Sequence, residues 1–208
     1  MLFRSPLAAV EVSPPGPVLE PACGTGRVAV PLAASSGRVV VGLDLDPAMA
    51  AVAVARGLPV VVGDMRTLPF PRQRFAHVMI AWNSLQLLDS DDDRIRCLSS
   101  AATCVMAGGG LSIEVTDFQV GVVHAEVGWS EIARSPSIVL AGALSHDLAA
   151  RASTYQRRVC SGGAVEETEV VLRSLDATEA TALVTAAGWS VTTTERDGPR
   201  TRLTAMLG

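Results

Sequence analysis

Three acidic residues, Glu20, Asp44 and Asp64, each close a short apolar run of the chain. The first run continues into Gly24-Thr25-Gly26. Glycine adopts positive φ at little cost and lets a ligand approach the backbone, so this stretch predicts a tight turn from a strand into a helix. The first N–H groups of such a helix are free to bind a polar ligand. Because carboxylates accept strong hydrogen bonds, the turn and the three acids predict a pocket for a nucleotide-like ligand.

The elements that must position these residues alternate between strand and helix patterns. Asp46-Pro47 supplies an N-cap followed by proline at the first helical position, and Gly57 ends the same helix. This alternation predicts βαβ units and a parallel sheet with helices on both faces, where ligands bind outside the carboxyl ends of the strands. The first predicted strand begins at Val18, and the next four cover 38–43, 59–62, 76–81 and 111–115. The predicted helices cover 27–34, 48–56 and 89–106, and three glycines at 108–110 end the last of them.

The rest of the chain is less regular. Residues 118–150 show only short helical pieces around 129–134 and 137–144. Residues 151–160 and 164–174 predict a β-hairpin with a turn at Ser161-Gly162-Gly163, and Asp176 predicts the cap of a helix that ends at Gly188. An antiparallel strand pair at 189–196 and 201–207 completes the chain. We therefore expect one domain over 1–208, with 118–174 inserted after the fifth strand as a small β-hairpin and helix cap on the substrate side.

Composition excludes several classes of protein. The net charge is −4, and all 17 basic residues are scattered arginines, which argues against nucleic-acid binding. No segment has the ~20 apolar residues of a membrane span, and the N-terminus lacks the pattern of a signal peptide, so a cytoplasmic protein is expected. The four cysteines form no Cys-x-x-Cys pair, and no metal site is predicted. High apolar content with few charges favours a homodimer.

The residues from Val18 to Val115 resemble the class I S-adenosylmethionine-dependent methyltransferases of the small-molecule type. The family's acid-x-Gly-x-Gly-x-Gly turn is matched by Glu20-Pro21-Ala22-Cys23-Gly24-Thr25-Gly26, with alanine at the first glycine. The resemblance implies a doubly wound, Rossmann-like α/β fold. The sheet that the resemblance implies has seven strands and is mostly parallel, with an antiparallel C-terminal strand.

The resemblance also implies S-adenosyl-L-methionine as cofactor and assigns its contacts. The turn and Glu20 would hold the methionine portion, Asp44 the ribose hydroxyls, and Asp64 the exocyclic amine of adenine. Met65 would offer a backbone contact to the ring and Met49 would pack against it, while three residues after the fourth strand would border the sulfonium. The expected cofactor-binding set is Glu20, Ala22, Cys23, Gly24, Gly26, Asp44, Leu45, Met49, Asp64, Met65, Ala81, Trp82 and Asn83.

Two further features depart from the family. Many small-molecule members carry a helical lid of several dozen residues before the first strand, whereas 17 residues precede Val18. The lid is therefore expected to be missing, shorter or supplied by another chain. Relatives with a similar Asn-Ser-Leu-Gln segment would carry histidine after the glutamine, where this chain has Leu87. A possible acid–base residue is thus absent at that position.

Methyl transfer from a sulfonium is an in-line displacement, and much of its catalysis comes from holding the reacting atoms in line. A base is needed only where the nucleophile must lose a proton. Candidates lie after the fifth strand, where such folds place substrate contacts: His124, His146 and Tyr155, with Glu126 nearby. In contrast, His77 lies inside the fourth strand and is expected to be structural. Cys23 is expected to be a packed residue.

The leading hypothesis is methylation of an oxygen or nitrogen of a small molecule in specialised metabolism. A second hypothesis uses the same cofactor for cyclisation, elimination or transfer of another group. A third is a non-catalytic protein that binds the cofactor or a partner. A nicotinamide dehydrogenase is disfavoured because the third glycine of Gly-x-Gly-x-x-Gly would fall at Ala29.

Overall fold

The computed structural model describes residue 10 and residues 13–120, 127–135 and 137–207, which form two β-sheets. The larger sheet has seven strands in the order β10-β11-β5-β4-β1-β2-β3. These strands are β1 (Val18–Pro21), β2 (Val40–Asp44), β3 (Val60–Val62), β4 (Phe75–Ile80), β5 (Val105–Thr116), β10 (Trp189–Asp197) and β11 (Arg200–Leu207). The smaller sheet is antiparallel, in the order β6 (Val127–Arg134), β7 (Ile138–Asp147), β8 (Ala152–Ser161) and β9 (Ala164–Arg173).

The large sheet is mixed, as predicted. Strands β1 to β5 pair in parallel, and β11 runs antiparallel to both β5 and β10. The chain moves from β1 through β2 to β3, then returns to the other side of β1 to form β4. The strand order therefore reverses beside β1, and ligands of such sheets bind outside the carboxyl ends of the strands at this point.

Two of the described helices begin at side-chain caps that the sequence predicts. Asp46 accepts a hydrogen bond from the Ala48 N–H at 2.8 Å, and Asp176 forms a capping box with Glu179. The four helices described are α1 (Ala29–Ser36), α2 (Pro47–Ala55), α3 (Asp91–Cys104) and α4 (Ala177–Ala186), and a 3₁₀ helix covers Ser84–Leu87. Because each helix starts near the carboxyl ends of the parallel strands, the loops at this edge are fixed at both ends.

The predicted helical pieces at 129–134 and 137–144 are wrong. These residues belong to β6 and β7, and β7 pairs with β8 without interruption from Ile138↔Ser161 to Asp147↔Ala152. The insertion is therefore a four-stranded sheet in which the predicted hairpin, β8 and β9, forms one half. Alanine and leucine in β7 favour a helix locally, but pairing with the neighbouring strand overrides this weak preference.

The predicted role of the three glycines at 108–110 is also wrong. Helix α3 ends at Cys104, and the glycines lie within β5. A Cβ on Gly109 would come within 2.9 Å of the Ala76 carbonyl oxygen, and one on Gly110 within 2.6 Å of His77 Nδ1. Glycine is needed here because β5 approaches β4 closely, beside a register irregularity between Phe75 and His77.

Candidate functional site

A cavity of about 450 Å³ opens at the carboxyl ends of β1, β2 and β3. Seven of the thirteen residues predicted to bind the cofactor line it: Ala22, Gly24, Asp44, Leu45, Met49, Asp64 and Met65. The structure adds seven others, which are Leu43, Gly63, Arg66, Leu87, Leu88, Asp89 and Asp93. Four separate stretches of sequence thus form one pocket, and three of them lie where a strand ends.

The turn after β1 has the left-handed backbone that the glycines predict. Gly24 has φ 54° and Gly26 has φ 74°. Ala22, at the family's first glycine, also has φ 54°, a conformation that costs an alanine about 1 kcal/mol or more. Cys23 packs against Gly42, where a Cβ would lie 2.5 Å from its sulfur, and burial raises the pKa of the Cys23 thiol to about 12. This thiol therefore packs two strands together and is not a nucleophile.

Asp44 joins the turn to the end of β2. Its Oδ2 accepts a hydrogen bond from the Gly24 N–H at 2.6 Å, and its Oδ1 accepts one from the Asp46 N–H at 3.0 Å. Each carboxylate oxygen has two lone pairs, so each keeps the capacity to accept one more donor. The carboxylate is held in place by backbone groups and matches a pair of ribose hydroxyls.

Glu20 is 3% exposed, and burial raises the pKa of its carboxyl to about 8. The Ala29 N–H and the nearby Arg27 oppose this rise, but burial outweighs them. Its Oε2 is buried and has no hydrogen-bond partner among the described residues. A buried carboxyl with an oxygen still to satisfy fits a cationic ligand group, such as the ammonium of the methionine portion.

Apolar side chains form the other walls of the cavity. Met65 is buried and Met49 is half-buried, and both lie beside Asp64 at its rim. Leu87 and Leu88 face the cavity from the segment that precedes α3. Thioether and leucine side chains suit the faces of a planar base, so the residues present fit an adenosyl group.

Asp64 closes β3 and is already bound by an arginine two residues further along. Arg66 donates to both carboxylate oxygens, and this side-chain hydrogen bonding is the main reason why the pKa of Asp64 is lowered. Arg66 and its second partner, Asp93, are site residues that the sequence reasoning missed. Arg66 stands two residues after Asp64, and this spacing is a signal in the sequence for an ion pair. Asp93 is predicted only as part of the acidic start of a helix.

Six predicted contacts do not line this cavity: Glu20, Cys23, Gly26, Ala81, Trp82 and Asn83. Trp82 and Asn83 have φ of 52° and 63°, which is unusual for residues other than glycine and is concentrated at functional sites. The guanidinium of Arg27 stacks on the Trp82 ring at 3.9 Å, and Asn83 Oδ1 accepts a hydrogen bond from the Thr116 hydroxyl at 2.9 Å. Their place at the sulfonium stays a prediction.

The predicted catalytic residues lie in the second sheet or outside the described residues. His124 and Glu126 are outside them. His146 pairs with Ser153 across β7 and β8, and Leu144 pairs with Tyr155, so His146 and Tyr155 share one face of the sheet. His146 Nδ1 lies 2.6 Å from Ser153 Oγ, and Tyr155 is 37% exposed. Neither side chain lines the cofactor cavity.

His77 is fully buried and joins two other elements. Its Nδ1 lies 2.6 Å from Ser13 Oγ, and its Nε2 lies 2.9 Å from Ser112 Oγ. Burial lowers the pKa of this imidazole to about 3, so it stays neutral at physiological pH. These contacts fit the structural role expected from its position inside β4.

Among the described residues, no three metal-binding side chains of the His, Cys, Asp or Glu type come together. None of the helices in that part of the chain is both long and apolar enough to cross a membrane.

One comparison with known proteins covers the part of the chain that forms this cavity. The family model of a methyltransferase domain matches residues 18–109, which include the turn and all three acids. No curated protein sequence matches the chain.

Solved structures match nearly the whole chain. CcbJ, a methyltransferase from Streptomyces caelestis, has 22% identity and a TM-score of 0.80, covering 97% of this chain and 89% of that one. S-adenosylmethionine-bound CalS10, an amino pentose methyltransferase from Micromonospora echinaspora, has 21% identity and a TM-score of 0.68, with 97% and 86% covered. KedS8, a sugar N-methyltransferase from Streptoalloteichus sp ATCC 53650, has 18% identity and a TM-score of 0.75, with 96% and 82% covered.

At such identities the structural neighbours establish the fold alone, and the domain match is limited to residues 18–109. The sheet order, the cavity and the acids at three strand ends agree with both. Residues 18–109 of the chain therefore match a methyltransferase domain, and the fold is the one seen in solved S-adenosylmethionine-dependent methyltransferases.

Proposed function

We propose that this enzyme methylates an oxygen or nitrogen of a small polar molecule, and that residues 118–174 form the cap on the acceptor side. The observation that carries the proposal is a set of contacts at the carboxyl end of β5. Thr116 bonds to Asn83 and Gln86, and two residues later the Phe118 ring lies 6.5 Å from that of His146. These contacts connect Asn83, which is expected beside the sulfonium, with His146 in the second sheet.

His146 is the proposed base for the acceptor. S-adenosylmethionine supplies an electrophilic methyl carbon, and an ammonium or hydroxyl acceptor must lose a proton to attack it. An imidazole accepts that proton near neutral pH, and the contact between His146 Nδ1 and Ser153 leaves Nε2 to face the acceptor. Tyr155, on the same face, is the second candidate for contact with the acceptor.

Two structural neighbours suggest where to look for the acceptor. CalS10 is an amino pentose methyltransferase involved in calicheamicin biosynthesis, and KedS8 is a sugar N-methyltransferase. Amino sugars therefore come first in a substrate panel, and a role in specialised metabolism is part of the proposal. The homodimer and the cytoplasmic location stay predictions.

The test is a panel of amino sugars, sugars and simple phenols, with S-adenosylhomocysteine and methylated product both followed by mass spectrometry. With an accepted substrate, His146→Gln should lower kcat by about 10²- to 10⁴-fold, the usual contribution of a general base. Its affinity for S-adenosylhomocysteine should stay unchanged. Thr154→Ala, next to Ser153 on the opposite face of β8, is the matched control and should retain full activity.

Other outcomes separate the alternatives. An unchanged kcat and pH profile in His146→Gln would remove the histidine from the mechanism. Rearranged product without methylation, with the cofactor intact, would favour cyclisation or elimination. Tight cofactor binding without turnover across the panel would favour a non-catalytic protein.

A further inference from the structure

The carboxylate expected to receive the adenine amine is already bonded to an arginine through both of its oxygens. Asp64 Oδ1 accepts from the backbone N–H and Nε of Arg66 at 2.8 and 3.0 Å. Asp64 Oδ2 accepts from Nε and Nη2 of the same residue at 2.9 and 2.5 Å. The single Nε–H is shared between both oxygens, so three N–H groups of Arg66 make these four contacts and use most of the four lone-pair positions of the carboxylate.

The same guanidinium also reaches a second carboxylate. Arg66 Nη1 lies 3.3 Å from Asp93 Oδ2, in the first turn of α3. Asp93 in turn meets Arg96 through its other oxygen at 3.3 Å. Asp64, Arg66 and Asp93 all line the cavity, and about a third of the Arg66 side chain is exposed. The guanidinium therefore contacts both carboxylates at once, so Asp93 is already within its reach when Asp64 takes another donor.

We propose that Arg66 competes with the adenine amine for Asp64, and that Asp93 receives the guanidinium when the cofactor binds. The inference rests on the S-adenosylmethionine site and is independent of the acceptor. Arg66 is then a specificity-determining residue of the cofactor site. A ligand donor that approaches Asp64 competes with Arg66 for its oxygens, and a base with a carbonyl in place of the amine has no donor with which to compete.

The competition predicts that removing the arginine strengthens binding. Titration calorimetry with S-adenosylhomocysteine should give a dissociation constant about 2- to 5-fold lower for Arg66→Gln than for the parent, because a partly exposed ion pair is worth up to about that factor. Asp64→Asn should weaken binding about 10-fold or more. With S-inosylhomocysteine, which has a carbonyl in place of the amine, Arg66→Gln should bring no gain.

Asp93 provides the second arm of the test. Asp93→Asn should weaken S-adenosylhomocysteine binding about 2- to 5-fold in the parent, because the displaced guanidinium loses its acceptor. The same change should have no effect in the Arg66→Gln background. Arg96→Gln is the matched control: it removes an equal charge from the same cluster without touching Asp64, and binding should stay at the parent value.

A change of affinity in the opposite direction would contradict the proposal. Weaker binding in Arg66→Gln, in a variant whose thermal midpoint equals that of the parent, would make Arg66 a support for Asp64 and overturn the proposal. Arg66→Lys, which keeps the charge without the two-pronged geometry, should fall between the parent and Arg66→Gln. Failure of the parent itself to bind S-adenosylhomocysteine would instead contradict the cofactor site.

Discussion

At the scale of single residues, two buried titratable groups of this protein behave in opposite ways. His77 has partners on both ring nitrogens, and burial keeps it neutral, so it fixes β4 against β5. Glu20 has an unsatisfied oxygen in the turn that opens the cofactor site. Burial penalises the charged form of both groups, but only Glu20 lies where a cationic ligand is expected to supply the missing partner.

Glu20 should make stability depend on pH. Its pKa is raised to about 8 in the folded chain from an ordinary value of 4.5. Between these values the folded protein holds a proton that the unfolded chain has released, so stability falls as pH rises through this window. Urea denaturation should show a loss on the order of 2 kcal/mol from pH 6 to 8 that Glu20→Gln abolishes. An equal slope in both proteins would contradict the buried, protonated carboxyl.

The same group should couple cofactor binding to proton release. When the ammonium of S-adenosylhomocysteine approaches Glu20, the carboxylate form becomes favoured and close to one proton leaves near pH 7. Calorimetric titrations in phosphate and in Tris should then give different binding enthalpies for the parent and equal ones for Glu20→Gln. Equal enthalpies for the parent would show that Glu20 does not ionise on binding.

At the scale of elements, the side chain of Gln86 connects the 3₁₀ helix at Ser84–Leu87 to both sheets. Its Oε1 accepts the Thr116 N–H at 2.8 Å, and its Nε2 donates to the carbonyls of Thr116, at 2.8 Å, and Arg173. Gln86 is fully buried. One amide thus joins the end of β5 to the end of β9, beside Ser174, whose hydroxyl donates to Asp117 at 2.8 Å.

Replacing Gln86 should lower the free energy of unfolding, because its backbone partners are wholly or partly buried and cannot freely exchange this hydrogen bond for one to water. Gln86→Met keeps the volume but removes the partner of the Thr116 N–H and of the Arg173 carbonyl, each worth about 1–3 kcal/mol, whereas the Thr116 carbonyl keeps the Leu175 N–H at 3.3 Å. Denaturant unfolding should show a loss of about 2–5 kcal/mol in the free energy of unfolding. Gln156→Met is the control, since its amide bonds only to the exposed Glu169, and its loss should stay within about 0.5 kcal/mol.

The individual elements also show which parts of the fold and of the site can be predicted from the sequence. Local signals such as Asp46-Pro47 and the two glycines after Glu20 were sufficient for helix starts, the turn and the strand ends, and hence for the cofactor pocket. The second sheet was not predictable in the same way, because β6 and β7 depend on partners distant in sequence. The pairing of Arg66 with Asp64 was also missed, since it depends on a side-chain conformation that residue types alone do not specify.

At the scale of the whole molecule, the two sheets differ in how much of their surface they bury. Every residue of β4 is buried, and the strands around it form the core with α3 and α4. In β7 and β8, by contrast, only Gly142, Ala152 and Ser153 are buried. Apolar side chains such as Ile138 and Val165 are exposed there. Because local stability follows buried apolar contact, the second sheet should open more readily than the large one.

Hydrogen exchange followed by mass spectrometry tests this arrangement and the proposed cap together. In the free protein, amides of β6 to β9 should exchange faster than those of β1, β4 and β5, through openings of lower free energy. S-adenosylhomocysteine should slow exchange in the stretches that line the cavity, at 22–24, 43–49, 63–66 and 87–93, and leave β7 and β8 unchanged. An accepted substrate added with it should slow exchange in β7 and β8, around His146 and Tyr155. Protection of β7 and β8 by the cofactor product alone would assign the second sheet to the cofactor site, whereas no protection by substrate would remove residues 118–174 from acceptor binding.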